Sequence, residues 1–588
     1  MVETDGDNVV LHDFSWTYDA KDNVTALTES IGGKSFSYTY AYDDDSRPTS
    51  FGYGDVTEQI TYDGHGRSSG TTVKNGSRTV LGTGYAYRDV DSTYTTTQVK
   101  SVTNSYGGKT ANFNYTYDAN GNILSVSGDQ TVTYEYDDLG QLVWEKNATA
   151  GKAWNYTYDN GGNILSRTEY TCSGSGTVSG SGTTTSYTYG DAEWGDLLTA
   201  YNGEAISYDG IGNPLSYRGW AMSWQGGRQL ASMTKGSDTL SFVYNESGLR
   251  TSKTVNGVTH SYVWQGSKLA ADITDAYALY FHYDSSGEVI GFTRTANGTD
   301  TEYFYVKNLQ GDILKVITAT GTEAATYTYD AWGKVLTSTG DLAEINPLRY
   351  REYYYDTETR LYYLQSRYYD PEVGRFINPD VFATTDVDGV LSANMFAYCE
   401  NNPIRNSDFS GALFGLDPAS AIIGAATGAI TSLISGIASG DRGKDLILDV
   451  ALGAAAGATD GFISAAISAV AAATDAYKCY KDGVSIEGCV IVFASEFAAS
   501  FVSGALFKKG FFGKGIWDDL GGAAFDLSVG FAVNLTASQI STNVAENLYM
   551  TEPSHGGKNS NQPVGNLAYI EPLQVMHYGG GTWRMATR

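Results

Sequence analysis

The chain has 588 residues, with 66 aspartates and glutamates against 38 lysines and arginines, a formal net charge of −28. That length exceeds what one hydrophobic core organises, so it calls for several domains or a long repeat array. So acidic a surface repels a phosphate backbone and argues against nucleic acid as the partner of the array.

Tyrosine, with 45 copies, and glycine, with 69, are abundant, whereas proline supplies only 10. This mixture suits β structure with many corners and not a disordered tail, which would be poor in aromatics. The opening MVETDGDNVVLHDF has neither a basic n-region nor an apolar h-region, so it does not read as a signal peptide. It runs almost at once into WTYDAKDNV (16–24), which suggests the C-terminal portion of a longer protein.

A nine-residue phrase then recurs. YTYDANGNI (115–123) returns as YEYDDLGQL (134–142) and YTYDNGGNI (156–164), with weaker copies at 60–69, 206–215, 242–250, 281–290 and 327–336. Alternation of aromatic and small polar residues marks a strand with one buried face, and the Asp/Gly segment supplies the turn. Adjacent copies lie about 20 residues apart, enough for one hairpin of two short strands. A single hairpin cannot bury its own face, so neighbours must stack into an extended, curling sheet. TCSGSGTVSGSGTTTS (171–186) reads as a surface loop.

The phrase Tyr-x-Tyr-Asp-x-x-Gly-x-hydrophobic, repeated near 20 residues, resembles the YD repeat of the RHS family, which includes the teneurins and the B and C subunits of insecticidal toxin complexes. That resemblance implies a mainly β fold whose hairpins stack in a spiralling sheet around a C-terminal polypeptide; some 340 residues would give a partial shell. It also implies a secreted or cell-surface protein. The Tyr and Asp residues read first as scaffold, and glycan binding by exposed tyrosine faces is the minority reading.

The run REYYYDTETRLYYLQSRYYDPEVGRFINPD (351–380) is similar to the RHS repeat-associated core, whose hallmark is YYLxxRYYDPxxGRFxxxD. Arg367, Tyr368, Tyr369, Asp370, Pro371, Gly374 and Phe376 carry the match. NMFAYCENNPIRNSDFSGA (394–412) resembles the end of that core. In toxin-associated members the core behaves as an internal aspartic protease. Carried over by motif, Asp380 and Asp408 would be the carboxylates, one acting as base and the other as acid toward a water, with Arg375 in support. Phe409 stands in place of the family's proline and Ala412 where a leucine would precede the cut; Asp386 and Asp388 add two further candidates. The competing reading is that Asp370, Asp380 and Asp408 cap turns and pair with Arg367, Arg375 and Arg405.

After residue 412 the composition turns to Gly, Ala, Ser and Thr, which predicts a largely helical region over 412–550, then a linker and tail over 551–588. Small residues at Gly424, Gly428, Ser432 and Gly436 form a smooth helix face. The region could be a helical bundle or a segment sheltered by the shell, a membrane-contacting stretch within 418–507, or a catalytic toxin. Asp460 and Glu496 weigh against membrane insertion of the apolar stretches 451–475 and 489–507. No toxin active site is legible. Cys479 and Cys489 flank a short loop and are a candidate disulfide in an exported protein. Nothing in the spacing of Cys and His suggests a metal site, and no cofactor is implied.

The divisions expected are an array to about residue 345, a core over 346–411, and the variable region beyond. The leading reading is a shell that carries an effector, with the C-terminal region as cargo and an immunity protein or secretion machinery as further partners. A non-toxic wall-associated adhesin is the alternative, and a protease acting only on itself the third.

Overall fold

The computed structural model describes residues 2–4, 10–21, 23–89, 95–380, 391 and 394–411. Within them the chain forms three antiparallel sheets of 18, 14 and 4 strands. The first runs from Val2–Thr4 to Glu204–Ala205 and the second from Ser207–Tyr208 to Val335–Thr339. In both, each strand pairs with its neighbour in the chain, so the two sheets form one long meander interrupted at Ile206. The predicted β array is therefore present. The predicted helical region and the pair Cys479 and Cys489 fall outside the described residues.

The recurrent phrase has a uniform physical content. Its first aromatic points inward and is buried, as at Tyr115, Tyr134 and Tyr156. Its second tyrosine lies half-buried and donates its hydroxyl to a main-chain carbonyl on a preceding strand: Tyr117 to Val99 at 2.6 Å, Tyr136 to Ile123 at 2.8 Å, Tyr158 to Leu142 at 2.5 Å. Indoles replace the phenol at two rungs, where Trp224 donates to Pro214 and Trp264 to Arg250. The aspartate then closes the corner. Asp118 Oδ1 accepts the N–H groups of Asn120 and Asn122, both at 2.8 Å, while its own N–H donates to the Asn122 carbonyl. Such an Asx turn needs a left-handed residue at its third step, supplied by Gly121 with φ +85°.

The register shifts where this tyrosine enters the ladder, as between Thr116 and Tyr117 and between Thr157 and Tyr158. A bulge increases local twist, and its repetition curls the meander. The curl brings hairpins far apart in sequence face to face. Tyr38 Oη meets His282 Nδ1 at 2.9 Å, Asn104 donates to the Lys307 carbonyl at 2.7 Å, and the Ala331 N–H donates to Glu145 at 2.8 Å; these pairs lie 244, 203 and 186 positions apart. Tyr53 stacks on His282 with centroids 3.9 Å apart. The inward aromatics thus pack against a second layer. They join the residues of the third sheet in one hydrophobic core.

Candidate functional site

The third sheet, Tyr354–Asp356, Leu361–Leu364, Arg367–Asp370 and Arg375–Phe376, is buried throughout and bonds to side chains of residues 217–262. Its two aspartates are matched from the array. Asp356 receives both terminal nitrogens of Arg250, at 2.7 and 3.0 Å, and the Lys253 ammonium at 2.9 Å. Asp370 accepts from Tyr217 at 3.0 Å and Arg218 at 2.8 Å, while its other oxygen accepts the Glu372 N–H. Tyr368 bonds the Tyr244 hydroxyl, and Tyr369 donates to the Trp332 carbonyl and stacks on Tyr398. Pro371 and Phe376 are buried beside them. Gly374, at φ +74°, leaves room for Trp332: a Cβ there would sit 3.1 Å from the indole.

Asparagines downstream read the array's corners one after another. Asn394 donates to Gly161 and Asn163; Asn401 to Gln141 and the Gly162 carbonyl; Asn402 to Asn122 and the Gly140 carbonyl; Arg405 to the Asn120 carbonyl. Three successive Asx turns are thereby tied to one short segment. Left-handed backbone at Cys399, Glu400 and Asn401, with φ of 53°, 50° and 59°, turns that segment so the amides face the corners. Non-glycine residues held there cost about 1–3 kcal/mol each, which the buried hydrogen bonds offset.

At the end of this segment two carboxylates share one guanidinium. Arg367 Nη2 lies 2.9 Å from Asp380 Oδ2 and 3.3 Å from Asp408 Oδ2. The same side chain donates from Nε to the Gly411 carbonyl and from Nη1 to the Met395 carbonyl, over the face of Phe376. Met395 also accepts the Asp380 N–H at 2.8 Å. Asp408 is 1 % exposed. Its Oδ1 accepts the N–H of Ser410 at 3.2 Å and of Gly411 at 2.8 Å, and its own N–H donates to the Tyr353 hydroxyl at 2.7 Å. Ser366 ties down the Ser410 carbonyl through both its N–H and its hydroxyl. Gly411 is left-handed, φ +69°, and a Cβ would lie 2.4 Å from the Leu364 carbonyl oxygen.

Burial pushes the Asp408 carboxyl up to about 6; Arg367 opposes the shift and the neighbouring charge of Asp380 adds to it. Asp408, buried beside Arg367 and Asp380 and with its proton affinity raised, is a group that can take up or give up a proton near pH 6.

Sequence reasoning named Asp380, Asp408 and Arg375 as one group. The structure brings the aspartates together, and the cation between them is Arg367. Arg375 instead donates to Asn163 and Tyr189, both at 2.9 Å, and to the Asp196 carbonyl at 2.7 Å, anchoring the core to an array corner. Asp386 and Asp388 lie outside the described residues. Arg228, which holds the carbonyls of Pro379 and Asp380, went unnoticed because its hairpin tip carries no motif. Among the described residues no group of three acidic, His or Cys side chains is placed to hold a metal, and no helix is long and apolar enough to cross a membrane.

A model of the teneurin YD-shell matches residues 129–404. The tRNA3(Ser)-specific nuclease WapA of Bacillus spizizenii is 37% identical over 222 residues, 36% of this chain and 9% of that protein. The double-stranded DNA deaminase toxin A of Burkholderia cenocepacia is 25% identical over 327 residues, 49% of this chain and 21% of that one. The Photorhabdus luminescens Tc holotoxin pore has the same fold at a TM-score of 0.53 and 18% identity, over 69% of this chain and 21% of that chain. The chain thus spans at most about a fifth of the length of these relatives. The match of the teneurin YD-shell model and the likeness to WapA place this stretch of tyrosine-braced Asx corners, sealed by an aromatic core, in the RHS/YD-shell family.

Proposed function

We propose that this chain is the shell portion of a secreted or cell-surface delivery protein, that the region after residue 411 is its effector cargo, and that the core frees this cargo by cutting the chain near residue 412. In this reading residues 1–345 are wall and 346–411 the sealing and cutting module. The relatives named as nuclease and deaminase toxins support a shell that serves different effectors.

The observation that carries the cutting role is the single Arg367 nitrogen joining Asp380 to Asp408, on the segment that leads to residue 412. Asp380 takes a proton from water as the hydroxyl adds to the peptide carbonyl. Asp408 supplies the proton that ends on the leaving nitrogen, so the hydrolysis balances with water alone. Since Asp408 holds its proton below about pH 6, release should be faster at pH 5.5 than at pH 8.

The test is the purified full chain, followed by gel and intact mass over hours. A new terminus near residue 412 is expected, abolished in Asp408→Asn and Asp380→Asn. A wild-type chain that stays whole, or an Asp408→Asn chain cut at the same rate, would sink the reading.

A further inference from the structure

We propose that Arg228, a residue of the array, is the positioning residue for Asp380, so that self-release depends on the hairpin of Trp220–Gln225 and Gln229–Lys235 being docked on the core. The inference rests on the self-release reading above and adds a condition to it.

Asp380 is held through its carboxylate, its N–H and its carbonyl. Its carboxylate meets Arg367, its N–H donates to Met395, and its carbonyl accepts from Arg228 Nη1 at 2.7 Å. The same Arg228 nitrogen donates to the Pro379 carbonyl, so one group from the array pins two consecutive carbonyls 151 and 152 positions away.

The hairpin tip that presents Arg228 is itself fixed. Gly226 and Gly227 are left-handed, with φ of 56° and 89°. The Gly227 carbonyl accepts from Asn213 at 2.7 Å, and Asn213 is in turn held by Asp209 at 2.9 Å. The same corner forms the floor under Pro379, since a Cβ on Gly212 would lie 3.0 Å from the proline ring. The Asx turn over 209–213, the tip over 225–229 and the dipeptide Pro379–Asp380 therefore form one contact.

Electrostatics favours the same assignment. Burial lowers the proton affinity of Arg228, Asp380 raises it, and the nearby Arg367 lowers it again. Placing a second guanidinium beside Arg367 is unfavourable unless it fixes something, and what it fixes is the main chain on either side of the Pro379–Asp380 bond. A carboxylate displaced by about 1 Å from its productive place can cost on the order of a hundredfold in rate. Loss of the Arg228 clamp is a route to such displacement that leaves both aspartates intact.

The experiment compares full-length wild type, Arg228→Met, Arg228→Lys and Asp380→Asn for rate of release, with melting midpoints measured alongside. Arg228→Met keeps the stem and loses the donors; release should slow by about tenfold or more. Arg228→Lys restores a donor and should recover part of that rate. Arg228→Met cutting at the wild-type rate overturns the proposal. So does equal slowing in Met and Lys variants with an equal drop in midpoint, which would assign Arg228 to packing alone. A wild-type chain that is not cut defeats the self-release reading, whereas loss in Asp380→Asn with normal cutting in Arg228→Met defeats this inference alone.

Discussion

Asp63 in the array and Asp408 in the core have nearly the same ligands. Asp63 accepts the N–H groups of His65 and Arg67 and an Arg67 guanidinium; Asp408 accepts those of Ser410 and Gly411 and an Arg367 guanidinium. Yet the hydrogen bond from Arg67 takes Asp63 down to about 2, while burial takes Asp408 up to about 6. At the array corner the arginine serves one partly exposed carboxylate. In the core it serves two, out of water. The same local chemistry is a turn brace in one place and a proton-holding group in the other, and the surroundings make the difference.

The comparison can be broken most strongly at Arg367. Arg367→Met leaves Asp380 and Asp408 without their shared cation and should cost about 3–5 kcal/mol in denaturant unfolding. Adding Asp408→Leu to that variant should recover part of the loss; no recovery would mean the two carboxylates are not coupled through Arg367. Next comes pH. A group whose folded value is raised stabilises below its ordinary value, 3.8 here, and that stabilisation is lost as pH rises through about 6. Asp408→Asn removes this dependence, so the variant should gain on the order of 3 kcal/mol relative to wild type between pH 4 and pH 7, read from unfolding curves at the two pH values. A constant difference would show that Asp408 titrates as an ordinary carboxyl.

Smaller effects belong to the wall. Tyr158→Phe deletes one hydroxyl bond to the Leu142 carbonyl and should cost about 1 kcal/mol, checked by urea midpoint. Smallest of all, Asp63→Asn at its partly exposed corner, where Asn keeps the turn's acceptor oxygen, should leave the midpoint almost unchanged at low and high salt alike; a shift as large as that of Tyr158→Phe would contradict the contrast drawn with Asp408.

Period-two alternation and the Asp/Gly corners predicted stacked hairpins in a curling sheet, and both features are local. The motif at 362–376 was equally visible, because aromatic and charged residues are dense there. The corners at Asp43 and Asn308 escaped notice: one follows Ala-Tyr and is crowded by further aspartates, the other replaces Asp with Asn, yet both make the same main-chain bonds. Arg375 drew attention as the nearest arginine in the motif. Its strand, however, pairs Arg375 with Asp370 and directs the side chain to Asn163, a partner 212 positions away.

By itself, then, the sequence determined the repeating unit, since its turn, its buried face and its period all arise from interactions within about 20 residues. Only the tertiary structure decided which cation joins Asp380 to Asp408, what the inward tyrosines meet, and that Arg228 reaches the core. Those contacts depend on the accumulated twist of many strands, a quantity no single repeat encodes.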